Sequence, residues 1–297
     1  GRRNTLAGAG VSGWLGWIFR SSMENVACAL SQGIDPMSVL VVKNLQKSFG
    51  GNQAVKGISF ELRTGEMLAL IGPNGAGKST TFNMLNGQIR PDHGTIDFKG
   101  ESLLGLSPRQ TWQKGVSRTF QIAQTFSSMT LAENVQMALL SVHHQLYAIW
   151  QRATHFKRDE AIEFLRLVGL HKDADKACAA LAYADVKRLE LAIALANEPR
   201  LLLMDEPTAG MAPQERNDLM ALTRELVRNR PSLANGLAVL FTEHSMDVVF
   251  GYADRVLVLA RGELIAQGSP QDVQDNTLVQ KVYLGGAQPL LGLGEEA

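Results

Sequence analysis

Residues 72–79 read Gly-Pro-Asn-Gly-Ala-Gly-Lys-Ser, a G-x-x-x-x-G-K-S pattern whose residue types suit one task, cradling a phosphate chain. Gly72, Gly75 and Gly77 let the backbone turn tightly and aim successive N–H groups inward, with Pro73, Asn74 and Ala76 between them. A helix starting near Gly77 and running through Thr80 would add partial positive charge where a phosphate sits. Lys78 would then reach the β- and γ-phosphates, and the Ser79 hydroxyl would hold Mg²⁺. The plain alternative is a glycine-rich turn with a chance lysine. The apolar run Met67-Leu68-Ala69-Leu70-Ile71 before the loop and the helix-forming residues 80–85 after it argue against that.

Two further segments place chemistry at the end of an apolar run. Leu201-Leu202-Leu203-Met204 leads into Asp205-Glu206, and carboxylates at such a mouth are costly unless they meet a cation or a wet cleft. Asp205 is placed to hold Mg²⁺, directly or through water. Glu206, one residue on, could orient and deprotonate an attacking water. Val239-Leu240-Phe241-Thr242 leads into Glu243-His244, where the imidazole would sense a γ-phosphate. A lone histidine after a strand is usually a surface or capping residue, and solvated acids at a strand end are ordinary. The acid pair and the histidine gain weight because one helix and one loop separate them, as a further βα unit would supply.

The elements that must hold these residues follow from periodicity. Strands are expected near 40–45, 58–62, 66–71 and 95–98, with hairpin turns at 50–52 and 63–65, then again near 201–204, 237–242 and 255–259. Runs of consecutive apolar residues suit strands buried on both faces of a parallel sheet. Residues 122 to 180 read as helical: 131–140, then 157–167 with Ala161, Phe164, Leu165 and Val168 on one face. A helix over 213–227 and a final hairpin turning at Gly262 complete the pattern. Length and composition agree: 297 residues at 45% hydrophobic can bury a sizeable core. Lys plus Arg equals Asp plus Glu at 29 each, so no excess charge draws the chain to nucleic acid or anionic lipid. Cys28 and Cys178 lack metal-site spacing, and no run reaches the roughly 20 apolar residues of a membrane span.

Together these residues resemble the nucleotide-binding subunit of an ABC transporter, and within that family the ATPases of branched-chain amino acid importers. The resemblance runs from about residue 40 to 285. It is carried by Phe49, the loop 72–80, Arg118-Thr119-Phe120-Gln121, the segment 181–190, the acid pair, Gly210-Met211-Ala212-Pro213, Glu243-His244 and the closing Val282-Tyr283-Leu284-Gly285. It implies an α/β fold of the P-loop NTPase type: a mainly parallel sheet flanked by helices, an N-terminal antiparallel β part, and a helical subdomain over about 122–190. It also implies an ATP hydrolase that energises solute import, peripheral on the cytoplasmic face of the inner (plasma) membrane. Its partners would be a second ATP-binding subunit (same or paralogous), transmembrane permease subunits and, indirectly, an external solute-binding protein. ATP and Mg²⁺ are the implied cofactors. Phe49 would stack on adenine, the alternative being a core phenylalanine in the hairpin. Gln121 would join Ser79 and Asp205 around Mg²⁺ and contact the attacking water. Ala182 and Ala184, at the start of the 181–190 helix, would reach the γ-phosphate bound by the other subunit.

That segment departs from the common Leu-Ser-Gly-Gly-Gln pattern. Ala182 removes a hydroxyl, and Ala184 stands where glycine is usual; if the site needs positive φ, its Cβ would cost about 1 kcal/mol. The stretch 210–213 lacks the Asp that many relatives use to signal across the dimer. Residues 1–36, before Met37, are expected to be a loosely attached leader, a tag, a read-through or the end of a fused partner, and 286–297 a tail. Two other readings remain: a soluble ATPase of this type serving translation or DNA repair, and a non-hydrolysing nucleotide-dependent interaction module suggested by Ala184.

Overall fold

The computed structural model describes residues 37–119, 125–142, 157–229 and 236–284. By their contacts residues 1–38 and 39–297 form separate units. The expected leader and the tail after 285 lie outside the described residues.

The chain opens with β1 (Ser38–Phe49) and β2 (Asn52–Arg63), adjacent strands joined by Gly50 and Gly51, whose φ values of 51° and 86° suit a tight reversal that other residues resist. Then come β3 (Met67–Ile71), α1 (Lys78–Leu85), β4 (His93–Phe98), β5 (Glu101–Ser102), α2 (Pro108–Gln113) and β6 (Val116–Thr119). Among the described residues α3 (Leu131–Val142), α4 (Arg158–Leu167) and α5 (Tyr183–Leu195) follow, with short 3-10 turns at His171–Asp173 and Cys178–Ala180 before α5. The chain returns through β7 (Leu201–Asp205), α6 (Pro213–Asn229), β8 (Ala238–Thr242), α7 (Met246–Tyr252), β9 (Arg255–Ala260), β10 (Glu263–Gly268), α8 (Pro270–Gln274) and α9 (Thr277–Leu284).

Two sheets result. One has the order β2-β1-β4-β5, with β4 antiparallel to both β1 and β5. The other has the order β10-β9-β3-β8-β7-β6, and every neighbouring pair is parallel except β9 with β10. Successive side chains of a strand point to opposite faces, so each central strand feeds two cores. Met67, Ala69 and Ile71, with Leu202, Met204, Val239 and Phe241, face the helices. Leu68 and Leu70, with Leu201, Leu203, Ala238 and Leu240, face α1 and the antiparallel sheet. Strands buried on both sides explain why these segments show no polar alternation.

The helical stretch packs through one face per helix. Ala161, Phe164, Leu165 and Val168 are buried against Leu131, Val135 and Leu139 of α3 and Leu189 of α5. Its consequence for the site is positional: α5 hands the chain to β7 after one short loop. Because β3, β7 and β8 run parallel, their C-terminal ends, and the loops that follow, open on the same edge of the sheet. That edge is where ligands bind in open parallel sheets.

Candidate active site

The loop after β3 has the backbone that the glycines predict. Gly72, Gly75 and Gly77 adopt φ of 154°, 79° and 105°. Gly77 caps α1 without any side-chain hydrogen bond, so the first N–H groups of the helix face out of its end. A Cβ on Gly77 would lie 2.6 Å from the Ala54 carbonyl oxygen, and one on Gly72 would lie 2.2 Å from that of Leu259. β2 and β9 therefore close on the loop from two sides and hold its shape. Ser79 is exposed, Thr80 half-buried and Lys78 buried.

Lys78 folds back on the loop itself, its amine donating to the carbonyls of Gly72 (2.6 Å) and Pro73 (3.2 Å). Burial pushes the amine below the usual lysine range, while the nearby charges of Glu206 and Asp205 pull the other way.

Asp205 and Glu206 diverge although adjacent. Asp205 Oδ2 accepts from Arg118 Nη2 at 2.8 Å, and Oδ1 accepts from the Thr242 hydroxyl at 2.8 Å. The cation that a carboxylate at this strand mouth requires is thus Arg118, itself steadied by Asn83 Oδ1 at 2.7 Å. Glu206 sits at φ 48°, a left-handed conformation that turns its side chain away from that of Asp205. Its N–H is held by the carbonyl (3.1 Å) and hydroxyl (3.0 Å) of Thr242, which offset the backbone cost. Its Oε1 lies 2.9 Å from His244 Nε2, within hydrogen-bond distance. One threonine hydroxyl therefore serves both acids, donating to Asp205 and accepting from Glu206.

The remaining predicted residues distribute as follows. Phe49 ends β1 with 48% of its surface exposed, so it is no core residue of the hairpin, and Lys47 Nζ stands 5.4 Å from its ring centroid. Ala182 caps α5 without a side-chain hydrogen bond. Ala184 lies inside the first turn of α5 and is absent from the residues with positive φ. The strain expected from placing alanine there does not arise, because the position is helical. Neither Phe49 nor Ala182 shares a hydrogen bond with Lys78, Asp205, Glu206 or His244 among the described residues. Gln121 lies outside the described residues. Sequence reasoning gave no role to Arg118, Thr242, Thr208 or Glu243. All four make polar contacts at this edge; in the sequence Arg118 stood out only within the run 118–121, Thr242 and Glu243 only in the run before His244, and Thr208 not at all.

Chemically, a backbone nest with a lysine, a carboxylate bonded to Arg118 and Thr242 and a second carboxylate paired with an imidazole suit transfer of a phosphoryl group to water. The fold and this edge define an ATPase of the phosphate-loop class. A family model described as ABC transporter matches residues 55–209, and one described as branched-chain amino acid ATP-binding cassette transporter matches 263–288. The high-affinity branched-chain amino acid transport ATP-binding protein LivG of Salmonella typhimurium is 39% identical over 259 residues, covering 84% of this chain and 98% of that protein. BraF of Pseudomonas aeruginosa, with the same description, is 36% identical at the same coverage. The lipopolysaccharide export system ATP-binding protein LptB of Haemophilus influenzae is 35% identical over 249 residues, covering 84% of this chain and 98% of that protein. A solved nucleotide-free ATP-binding cassette from an ABC transporter superposes with a TM-score of 0.74 at 29% identity, covering 84% of this chain and 100% of that one. The chain belongs to the ATP-binding, ATP-hydrolysing subunits of ABC transporters.

Proposed function

We propose that the protein energises import of branched-chain or related amino acids, working as a pair with the same or a paralogous ATP-binding subunit beneath transmembrane permease subunits. The observation that carries the reading is that loop 72–79, the Asp205-Glu206 pair and His244 follow the ends of neighbouring parallel strands, with Glu206 Oε1 2.9 Å from His244 Nε2, in a chain most of whose length aligns with LivG and BraF. The C-terminal match to the branched-chain cassette model favours import of such solutes over the export served by LptB.

Lys78 would exchange its loop carbonyls for β- and γ-phosphate oxygens, which the exposed loop 73–75 leaves within reach. The cradle fits a phosphate chain because only glycine tolerates the Gly77 approach, and the N–H groups at the start of α1 carry no side-chain cap. The donor set fits Mg²⁺ as well: the Ser79 hydroxyl is exposed, and each Asp205 oxygen accepts one hydrogen bond and keeps a lone pair. Ser79, Gln121 and Asp205 would hold the ion, which when bound neutralises charge on the transferring phosphoryl oxygens. Glu206 would take the proton of the attacking water while His244 orients its carboxylate and senses the γ-phosphate. Phe49, half exposed beside Lys47, offers a face for adenine. Ala182 and Ala184 would present the N-terminus of α5 to the nucleotide of the partner subunit.

A groove of about 460 Å³ between α2, β6, α3 and α5, lined by Trp112, Arg118, Glu190 and Ile193 among others, suits contact with a permease. No helix among the described residues is long and apolar enough to cross a membrane, so the permease would hold the subunit at the cytoplasmic face of the inner membrane. The helical setting of Ala184 removes the motive for a non-hydrolysing module. Reconstitution of the full chain with its permease in liposomes tests the reading. ATP-dependent accumulation of labelled leucine is expected; ATP turnover unaffected by permease and solute, with no uptake, would contradict it.

A further inference from the structure

Glu243 is a buried acid for which the chemistry above has no use. It follows the last residue of β8, is 4% exposed, and forms no ion pair among the described residues. A carboxylate in that position is costly unless both its oxygens are hydrogen-bonded. They are. Oε1 accepts from the Thr208 N–H at 2.8 Å and the Thr208 hydroxyl at 2.7 Å, and Oε2 accepts from the His244 N–H at 3.2 Å. Thr208, itself 1% exposed, stands two residues after Glu206, and His244 is the residue whose ring meets Glu206. Glu243 thus clasps the backbones on both sides of the Glu206–His244 contact.

The clasp extends beyond the site. Thr208 opens a turn closed by the Met211 N–H on its carbonyl at 3.2 Å, and within that turn the Ala209 carbonyl accepts from the Tyr183 hydroxyl at 3.3 Å. Tyr183 is the first residue of α5. A continuous set of contacts therefore joins the histidine segment, through Glu243, to the loop 208–211 and the start of α5. The stretch 210–213 lacks the acid found there in many proteins of the family it resembles, and a buried acid just past β8 bonds Thr208, two residues before that stretch.

We propose that Glu243 is a positioning residue for ATP hydrolysis: it fixes the His244 backbone against Thr208, so that the imidazole meets Glu206 and loop 208–211 moves with it. This rests on the reading of Glu206 and His244 as the pair that handles the attacking water. A rival role, filling and capping the end of β8, would affect stability but not act through the histidine.

A double-mutant cycle in the full chain separates the two. Glu243→Gln keeps the shape but must turn its NH₂ toward either the Thr208 donors or the His244 N–H, leaving donor against donor. Its kcat should fall about tenfold or more, the cost of one unsatisfied buried donor, with the Kd for ATP within about twofold of wild type. In a His244→Ala background the same change should lower kcat by less than about twofold. Thr208→Val removes one bond of the clasp from the other side and should show the same dependence on His244, which keeps the test open if Glu243→Gln folds poorly. Wild-type kcat in Glu243→Gln beside an impaired His244→Ala would overturn the proposal alone, as would full multiplication of the two losses. Unimpaired turnover in His244→Ala would overturn the reading of the histidine and the proposal with it.

Discussion

Replacing Gly77 with alanine tests whether loop shape, and not merely the presence of Lys78, makes the cradle. At φ 105° an L-residue is strained, which costs about 1–2 kcal/mol. The new Cβ would also sit 2.6 Å from the Ala54 carbonyl oxygen and 3.3 Å from Val55 Cγ2. Ala54 and Val55 belong to β2, so relief requires moving a strand or the loop, and overpacking of this kind adds roughly 1–3 kcal/mol. Gly75 is the internal control. Its φ is 79°, but an added Cβ meets nothing within 4 Å, so Gly75→Ala should cost only about 1 kcal/mol. Thermal denaturation with and without ATP reads both effects. Gly77→Ala should melt several degrees below Gly75→Ala and gain little from ATP, because its loop can form only by leaving the geometry that aims N–H groups at phosphate. Equal melting temperatures and equal stabilisation by ATP in the two variants would refute the reasoning.

Two other outcomes follow from the same geometry. Arg118→Met removes the only cation bonded to Asp205 among the described residues, a partner worth on the order of 3 kcal/mol when a largely buried pair is broken. Titration of Mg²⁺ against nucleotide binding should show a shifted midpoint in that variant, and an unchanged midpoint would deny Arg118 any part in holding Asp205. Lys78 should shed its proton below the ordinary 10.5, since burial favours the neutral amine. In that alkaline window the unfolded chain binds more protons than the folded one, so the Lys78 contribution to stability rises with pH while ATP affinity falls. Glu206→Gln deletes a charge that raises the Lys78 value, so its loss of affinity should begin at lower pH; a coincident profile would count against the coupling.

The parts of the site that could be read from sequence are those that lie close together in the chain. The loop 72–79, the Asp205-Glu206 mouth and His244 each follow an apolar run, and the fold places them where such runs must end. The contacts that set their geometry could not be read so. Arg118 meets Asp205 across 87 residues and Thr242 meets it across 37, pairings that depend on β6, β7 and β8 lying side by side. β6 itself, Val-Ser-Arg-Thr after Gly115, is too short to show a period. Other elements carried legible signals: Ser107-Pro108 with Gln110, and Ser269-Pro270 with Asp272, are capping boxes that start α2 and α8. Ala184 shows a condition that only the fold could decide: alanine would be strained there if the position needed positive φ, and it does not, because the helix has already begun at Tyr183.

The central claim is that Glu206, steered by His244 and set beside Lys78, drives ATP hydrolysis at this edge. Phosphate release and ATP binding measured together in purified Glu206→Gln test it most directly. Binding close to wild type with turnover lowered at least about 100-fold is the predicted result. Undiminished phosphate release from that variant would contradict the account.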